Sequence, residues 1–253
     1  MLRTRVIPCL LLRDGGLVKT TRFKEPRYVG DPINAIRIFN DKEVDELVLL
    51  DIQASAIGRE PAYALIEEVA SECFMPLAYG GGISTVEQAR RILKLGVEKV
   101  VFNSTAWRDP KVLRSASLEF GAQSVVASID ARRKLLGGHE AFVDAGKTPT
   151  RLDVVAYARR LEDCGVGEIM LTSIDRDGTL QGFDVELLAK VTCAVDIPVI
   201  ACGGASKLED FRRAVEEGGA AAVAAGAMFV YHGPHRAVLI TYPRREDLEK
   251  VLG

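Results

Sequence analysis

Three features are missing from this 253-residue sequence: an excess of charge of one sign, a long apolar run and paired cysteines. Lys and Arg number 33 against 35 Asp and Glu, so the net charge is -2, whereas duplex-binding proteins carry a basic excess. No apolar run approaches the roughly 18 residues of a membrane span, and the first residues lack a signal peptide's apolar stretch. We therefore expect neither nucleic acid nor a membrane as a partner.

The cysteines form no CxxC pair and no ligand-like cluster with the three histidines, which argues against a metal site. An odd, scattered set of five is typical of reduced thiols, so we expect a cytoplasmic protein without metal or other cofactor. The 48% of hydrophobic residues can build a sizeable core and exclude a disordered chain. The cysteines are Cys9, Cys73, Cys164, Cys193 and Cys202.

Short apolar runs alternate with amphipathic stretches along the whole chain, as in parallel strands buried on both faces and followed by helices. Eight strand-then-helix units in this length predict an α/β fold, a single (β/α)8 TIM barrel forming one domain over 1–253. A doubly wound sheet is the alternative, but it more often shows GxGxxG after its first strand, and none is present. The predicted strands are 5–11, 46–52, 76–80, 98–103, 124–129, 168–174, 198–202 and 220–225, and the predicted helices are 32–44, 59–73, 84–95, 109–120, 151–164, 184–195, 206–217 and 244–252. Helix starts are predicted at Asp31–Pro32, Ser84, Asp109–Pro110, Asp184 and Ser206, and helix ends at Gly96, Gly165 and Gly218.

The sequence contains an internal repeat. A shift of 122 residues superimposes PLAYGGGISTVEQARRILKLG on PVIACGGASKLEDFRRAVEEGG, so that Gly81–Gly82 falls on Gly203–Gly204. Each copy is a strand, a glycine loop and a helix, and two similar halves close more naturally into a barrel than into an open sheet. No low-complexity linker separates the halves.

The two glycine turns end the predicted third and seventh strands. Glycine lets the backbone approach an anion, and the N-terminus of a following helix offers unpaired N–H groups. Loops after strands seven and eight of such barrels often bind phosphate, and the repeat places an equivalent site at strands three and four. We expect two phosphate sites on opposite sides of the barrel mouth; ordinary tight turns are the alternative.

Four acidic residues, Asp51, Asp130, Asp175 and Asp177, follow the predicted second, fifth and sixth strands. In this fold that end of the strands is the active-site face, where carboxylates serve acid–base chemistry. Asp-Gly at 177–178 is also a common turn, so some of these acids are structural. Asp130 is the best placed for catalysis, and Asp177 is the second candidate.

Four charged residues, Arg5, Glu46, Lys99 and Glu168, open predicted strands at the opposite end of the barrel. Solvated charges are the simpler interpretation. However, two acids and two bases, the acids at the repeat offset, would form a neutral ring if they pointed inward. Unpaired burial of such charges is costly, so the ring predicts pairing.

Several stretches match one known family: RVIPCL at 5–10, DEL-x-x-LDI at 45–52, YGGGI at 79–83 and GEI-x-LTSIDRDGT at 167–179. The chain resembles HisF, the cyclase subunit of imidazole glycerol phosphate synthase, over essentially its whole length. The resemblance implies a heterodimer in which a HisH-like glutaminase docks on the barrel bottom. Its ammonia would pass a salt-bridged gate and cross the barrel to a substrate with two phosphates.

The resemblance also implies roles for particular residues. The gate corresponds to the four charged residues above, and the second catalytic aspartate of the family corresponds to Asp130. Lys19 and Asp51 would lie on the active-site face. The phosphate sites correspond to Gly82, Asn103 and Ser104 on one side and to Gly178, Gly204, Ala225 and Gly226 on the other.

One departure from the family pattern is chemical. The family motif C-L-D-x-x-x-G places a catalytic aspartate at the first strand, whereas this chain has Leu11 there. Leucine cannot transfer a proton, and Asp14, three residues on, lies in the loop. In addition, DAGKTPTRLD at 144–153 lacks the later glycine of the family, and Ser206 replaces a usual glycine.

With these departures the chain resembles a subgroup of the family. The patterns LLL-x-x-GGLVKT-x-x-FK-x-PRYVGDPINA and MFVYHGPHRAVLITYP are similar to those of HisF-like proteins of acetamidino-sugar modification. That likeness implies ammonia supply to a separate ATP-dependent amidotransferase, which makes an acetamidino group on a nucleotide sugar for surface polysaccharide such as lipopolysaccharide. Two other interpretations stay open: a true cyclase in histidine biosynthesis and a non-catalytic scaffold that activates the glutaminase. A HisA-like sugar isomerase has the same half-barrel repeat, but its reaction also needs an acid on the first strand.

Overall fold

The fold is a closed barrel of eight parallel strands, seen in a computed structural model that describes residues 4–253. Residues 1–3, with which the predicted domain begins, lie outside the described part, and so does the expectation that these first residues carry no signal-peptide stretch. In barrel order the strands are β1, β4, β5, β6, β7, β10, β11 and β12, and β12 pairs with β1 to close the ring. The (β/α)8 prediction is thereby confirmed. The strands are β1 (Arg5–Arg13), β2 (Gly16–Thr21), β3 (Lys24–Gly30), β4 (Leu47–Asp51), β5 (Leu77–Gly80), β6 (Lys99–Phe102), β7 (Val125–Arg133), β8 (His139–Val143), β9 (Thr148–Asp153), β10 (Glu168–Ser173), β11 (Val199–Cys202), β12 (Ala222–Ala225), β13 (Tyr231–His232) and β14 (Ala237–Val238).

Helices surround the barrel, and their boundaries follow local capping signals. Asp31, Asp109 and Asp184 each accept a hydrogen bond from a backbone N–H of the turn they begin, as predicted. No helix within residues 4–253 is long and apolar enough to cross a membrane. The helices are α1 (Pro32–Asp41), α2 (Ala54–Ile57), α3 (Tyr63–Glu72), α4 (Val86–Lys94), α5 (Ser104–Arg108), α6 (Pro110–Phe120), α7 (Val154–Asp163), α8 (Val185–Thr192), α9 (Leu208–Glu216), α10 (Ala227–Val230) and α11 (Arg245–Leu252).

Among the predicted helix-start and helix-end residues, two starts and one end are displaced by one or two residues. α4 and α9 begin two residues after Ser84 and Ser206. The serine backbones and hydroxyls donate to side chains inside the helix, Gln88 and Asp210, so each serine lies before the cap. Gly218 does not have a positive φ; the left-handed residue after α9 is Gly219, with φ 70°.

Three hairpins were not predicted from the sequence. β2 and β3 follow β1, β8 and β9 follow β7, and β13 and β14 follow α10. β9 also occupies the first residues of the predicted helix 151–164, which begins only at Val154. The predicted helix 59–73 begins at Tyr63. The first two hairpins extend barrel strands beyond the carboxyl end, so they stand around the mouth.

The core has two layers, because barrel strands are buried on both faces. On β1, Val6, Leu10 and Leu12 pack outward with the helices, whereas Ile7 and Leu11 belong to a second cluster inside the barrel. Side chains alternate along a strand, so a continuous apolar run serves both layers. The sequence therefore shows no polar–apolar alternation on these strands.

Candidate active site and a charged ring at the opposite end

A pocket of ≈ 130 Å³ opens at the carboxyl ends of the barrel strands. With the exception of Asp175, the residues predicted for the active-site face and for phosphate binding line it, although they come from strands in all parts of the chain. Asp175 does not line it; its carboxylate accepts a hydrogen bond from the N–H of Arg133 at 2.8 Å. The predicted residues brought together are Lys19, Asp51, Gly82, Asn103, Ser104, Asp130, Asp177, Gly178, Gly204, Ala225 and Gly226.

Asp130 lies on β7 and is 8% exposed. Burial raises its pKa from 3.8 to about 7; the amide of Asn103, which donates to its Oδ2 at 3.2 Å, lowers the pKa, and the negative charge of Asp177 raises it. A carboxyl group with a pKa near 7 can both donate and accept a proton at neutral pH. Asp130 therefore has the protonation behaviour that acid–base catalysis needs.

Asp177 is held by the β2–β3 hairpin. Lys19 Nζ donates to one carboxylate oxygen at 2.8 Å, and the hydroxyl of Thr20 donates to the other at 3.0 Å. The backbone N–H of Arg22 donates to the Asp177 carbonyl at 2.8 Å. Asp177 thus ties the hairpin to the barrel, and its predicted catalytic role stays a prediction.

Asp51 is the last residue of β4 and organises the loop that follows. Its Oδ1 accepts hydrogen bonds from the N–H groups of Gln53 and Ala54, each at 3.0 Å, and its Oδ2 accepts one from Arg59 at 2.9 Å. These contacts satisfy the first N–H groups of α2. Asp51 therefore faces the mouth with most of its hydrogen-bonding capacity already used.

Leu11 forms part of the pocket wall where the family pattern has an acid. It is 9% exposed and pairs with Val18 of β2 and Leu50 of β4. Asp14 lies in the turn after β1 with φ 51°, forms a 3.5 Å ion pair with Arg13, and does not line the pocket. The wall formed by β1 consequently has no proton-transferring side chain at this position.

Both glycine turns place two consecutive glycines at positive φ. Gly81 and Gly82 have φ of 118° and 73°, and Gly203 and Gly204 have φ of 87° and 115°, all in the region that glycine favours. A Cβ on Gly204 would lie 2.2 Å from the carbonyl oxygen of Gly182. The duplicated register in the sequence is therefore a duplicated turn in the structure.

The strand ends beside these turns lead directly into short helices. α5 begins at Ser104 and α10 at Ala227. The N–H of Gly82 donates to the hydroxyl of Ser55 at 3.1 Å. Asp144, at the tip of the β8–β9 hairpin, donates its N–H to the Ser104 hydroxyl at 3.1 Å and pairs with Arg108 at 2.8 Å. The divergent segment at 144–153 therefore packs directly on one predicted phosphate site, whereas Ser206 does not line the pocket.

Arg5, Glu46, Lys99 and Glu168 form a closed ring of ion pairs at the amino ends of the strands. Arg5 hydrogen-bonds both carboxylates, and Lys99 lies 3.0 Å from Glu46 and 2.9 Å from Glu168. Burial lowers the pKa of Arg5, but the two facing carboxylates outweigh burial and leave it raised. Three of the residues begin strands, while Glu46 precedes β4 by one residue. The predicted pairing is confirmed; a gating role is not decided by it.

The barrel interior between the ring and the pocket is apolar. Its inward side chains form one buried cluster, separate from the layer beneath the helices. Small side chains, such as those of Ala78, Ala222 and Ala224, lie among larger ones in this cluster. It comprises Ile7, Cys9, Leu11, Val18, Val48, Ala78, Val101, Val126, Met170, Ile200, Cys202, Ala222 and Ala224.

Several pocket residues were missed by sequence reasoning. Thr20 and Phe23 enter through the β2–β3 hairpin, and Ser55 enters through the start of α2. Cys9 and Cys202 line the pocket floor, where a hydrogen bond between them and burial raise the pKa of Cys9. Cys202 directly precedes the glycine turn Gly203–Gly204, and this position could have predicted that it lines the pocket. Among the described residues no group of three or more His, Cys, Asp or Glu side chains could hold a metal ion.

The fold and the pocket define a (β/α)8 barrel with an acid-lined site at the carboxyl ends of its strands. A family model described as histidine biosynthesis protein matches residues 5–234. The chain is 57% identical over 249 residues, 98% of its length and 99% of the relative, to a Pseudomonas aeruginosa protein with the provisional name imidazole glycerol phosphate synthase subunit hisF2. It is 43% identical over 232 residues, 92% of each chain, to imidazole glycerol phosphate synthase subunit HisF of Alkaliphilus metalliredigens. The chain belongs to the HisF family of histidine biosynthesis proteins.

Proposed function

We propose that this chain is the synthase-type subunit of a glutamine amidotransferase complex that delivers ammonia for amidine formation on a nucleotide sugar. A HisH-like glutaminase binds the barrel bottom, and an ATP-dependent sugar amidotransferase uses the ammonia. The family membership supports a synthase-type subunit, and the sugar acceptor is our inference from the two terminal sequence patterns and from Leu11.

The entry route for ammonia is the ring of Arg5, Glu46, Lys99 and Glu168. The four charges cancel, and every carboxylate faces both cations, so the ring closes the barrel floor without an unpaired buried charge. Beyond it, the apolar interior offers few groups that could retain or protonate ammonia. This arrangement supports conduction of the neutral molecule from the floor to the mouth.

One observation carries the amidine proposal over cyclisation: Leu11 stands in the mouth where the cyclase needs a second proton-transfer group. A positioned acid or base contributes about 10²–10⁴-fold to such a step. Asp130 can supply one proton transfer. On β1, however, Leu11 offers only a hydrocarbon surface, and the residues paired with it, Val18 and Leu50, are apolar as well. The mouth therefore favours passing ammonia onward over cyclising a substrate.

The two glycine turns support binding of phosphate groups at the mouth. At Gly82 and Gly204 there is no room for a Cβ, and the backbone and the adjacent helix starts are suited to anions. Gly82, Asn103 and Ser104 form the first proposed site, and Gly178, Gly204, Ala225 and Gly226 the second. A nucleotide sugar carries a pyrophosphate, which is an anion of the same chemistry.

A second candidate function is the cyclase reaction of histidine biosynthesis. The specific observation in its favour is Asp130, whose pKa near 7 suits acid–base catalysis. Lys19 and the full set of predicted phosphate-binding residues also line the pocket. A non-catalytic scaffold is less favoured, because the chain retains the predicted phosphate-binding residues at the mouth.

The experiment compares cyclase turnover of the unmodified chain and of Leu11→Asp, with the normal cyclase substrate and ample ammonium salt. We expect the unmodified chain to turn over poorly or not at all, and Leu11→Asp to raise the rate. The new carboxylate would lie between Val18 and Leu50, so some stability is lost by its desolvation. Steady-state kinetics at several ammonium concentrations give the cyclase turnover of both proteins.

Leu11→Asn is the matched control, since it adds a polar group of the same size that cannot transfer a proton at neutral pH. Its rate should stay at the level of the unmodified chain. Near-normal cyclase turnover by the unmodified chain would contradict the amidine proposal and favour the histidine pathway. In the supporting case, the chain with a HisH-like glutaminase, the sugar amidotransferase, glutamine and ATP converts an N-acetylated nucleotide sugar to the amidine.

A further inference from the structure

A second cavity lies on the outside of the barrel, away from the mouth. It is a groove of ≈ 360 Å³ between α5, α6 and α7. Its walls carry the indole of Trp107, the phenol of Tyr157 and three cations, Lys111, Arg114 and Arg160. None of these residues belongs to the site described above, so the groove has no role in the proposed ammonia transfer.

The cations of the groove have no ion-pair partner in the described part of the chain. Elsewhere on the outer helices, exposed arginines are commonly paired: Arg212 with Glu209 and Arg213 with Glu217. In the groove, Asp163 is the one acidic side chain against three cations. An excess of unpaired positive charge in a concave site is suited to an anionic ligand.

Two of the cations that line the groove are guanidinium groups, Arg114 on α6 and Arg160 on α7. They come from different helices, so the fold and not local sequence brings them together. Two guanidinium groups from facing helices are the usual means of holding a phosphate.

Tyr157 forms the inner wall of the groove. The residue is 3% exposed, and within residues 4–253 its buried hydroxyl makes no hydrogen bond. Because the hydroxyl is closed to solvent, the phenol contributes apolar surface to the groove and no hydrogen bond to a ligand. Arg160, which lines the same groove, also acts on the Tyr157 phenol.

Trp107 supplies a flat apolar surface beside these charges. It is half-buried and packs against the core with one part of its side chain while lining the groove. An indole face binds planar rings by stacking. We infer that the groove between α5, α6 and α7 binds a phosphorylated compound with a planar ring, the ring on Trp107 and the phosphate at Arg114 and Arg160.

Trp107 makes a direct measurement possible, since it is the one tryptophan of the sequence. Titration of the full chain with adenosine 5′-monophosphate should quench its fluorescence in a saturable manner below about 1 mM. Ribose 5-phosphate, which lacks the ring, should bind about tenfold more weakly, because one stacked base contributes that much. Equal affinity for the two compounds would overturn the stacking on Trp107.

Variants separate this groove from the mouth. Arg114→Gln and Arg160→Gln should each weaken binding of adenosine 5′-monophosphate about tenfold or more, because each removes a charge-assisted hydrogen bond. Arg213→Gln, the same change at a paired surface arginine, should leave it unchanged. Absence of saturable quenching, or full affinity in Arg114→Gln and Arg160→Gln, would overturn the proposal, since a nucleotide bound at the mouth would not sense either change.

Discussion

At the scale of single residues, burial decides what Asp130 can do. The residue lies on a barrel strand and is 8% exposed, so the charged form loses most of its hydration. Asn103 offsets part of this cost by donating a hydrogen bond to the carboxylate. The sequence shows an aspartate at a strand end, but its raised pKa follows from contacts that only the closed barrel creates.

The raised pKa of Asp130 predicts a pH-dependent stability. In the unfolded chain the group titrates near 3.8, and in the folded protein near 7. Between these values the folded state holds a proton that the unfolded state has lost, so stability falls as pH rises from about 4 to 7 and then levels off. Asp130→Asn cannot ionise and should lack this loss, which is on the order of 4 kcal/mol across the window.

The measurement is the melting temperature of both proteins from pH 4 to 8. The melting temperature of Asp130→Asn should rise relative to that of the unmodified chain as pH rises. Asp14→Asn, an exposed acid at the turn after β1, serves as the control and should parallel the unmodified chain. Parallel curves for Asp130→Asn as well would show that Asp130 titrates like an ordinary carboxylate.

At the scale of elements, the repeat extends to how two helices begin. Gln88 and Asp210 occupy the same position in the two copies, three residues into α4 and α9. Gln88 Oε1 accepts from the N–H and hydroxyl of Ser84 and from the N–H of Thr85, and Asp210 Oδ2 accepts from the corresponding atoms of Ser206 and Lys207. The two serines therefore serve the loop before the helix, which explains why they are not the caps.

This pair yields a stability prediction. Asp210→Ala should destabilise the protein by about 1–3 kcal/mol, because Asp210 is 6% exposed and three donors lose a charged acceptor. Gln88→Ala removes the equivalent bonds of a neutral and more exposed side chain, so it should cost about 0.5–1 kcal/mol. Denaturant unfolding of both variants makes the comparison, and a larger loss for Gln88→Ala would refute it.

The hairpins show where prediction of elements fails. Leu17 and Val18 of β2 are buried and apolar, but β3 is largely exposed and rich in charged residues, so its sequence resembles a loop. β9 contains Pro149 and charged residues and continues straight into α7, so it resembles the start of that helix. β1 and β7 extend past the barrel and pair with β2 and β8, and these two strands in turn offer the edges on which β3 and β9 form.

At the scale of the whole molecule, the charged ring joins strands that are far apart in sequence. Arg5 and Glu168 are 163 positions apart, and Lys99 and Glu46 are 53 apart. Closure of the barrel brings them into one layer, where each charge neutralises its neighbours. The ring is consequently a property of the assembled barrel and a surface on which the proposed glutaminase would dock.

The ring predicts how glutamine and free ammonia differ as nitrogen sources. Lys99→Met leaves Glu46 and Glu168 facing each other with Arg5 alone, which opens the floor. With a HisH-like subunit and the sugar amidotransferase present, amidine formation from glutamine should fall several-fold. Amidine formation from ammonium salt, which enters at the mouth, should be nearly unchanged.

Lys94→Met, at an exposed lysine of α4, is the matched control and should behave as the unmodified chain with both nitrogen sources. Product formation and glutamine hydrolysis are measured together, so that leakage of ammonia is seen as hydrolysis without product. If Lys99→Met keeps full glutamine-dependent formation, the ring is not a gate and serves only to close the barrel.

The sequence by itself determined the barrel, the repeat and many of the residues of the mouth, and it offered pairing as one of two interpretations of the ring. Continuous apolar strands, glycine turns at a fixed offset and Leu11 in place of an acid are local features that a linear pattern records. Only the tertiary structure decided that Lys19 and Thr20 hold Asp177, that Asp51 is occupied by α2 and Arg59, and that Asp130 is buried enough to titrate near neutrality. These properties depend on desolvation and on contacts between strands distant in sequence, and both arise only when the barrel closes.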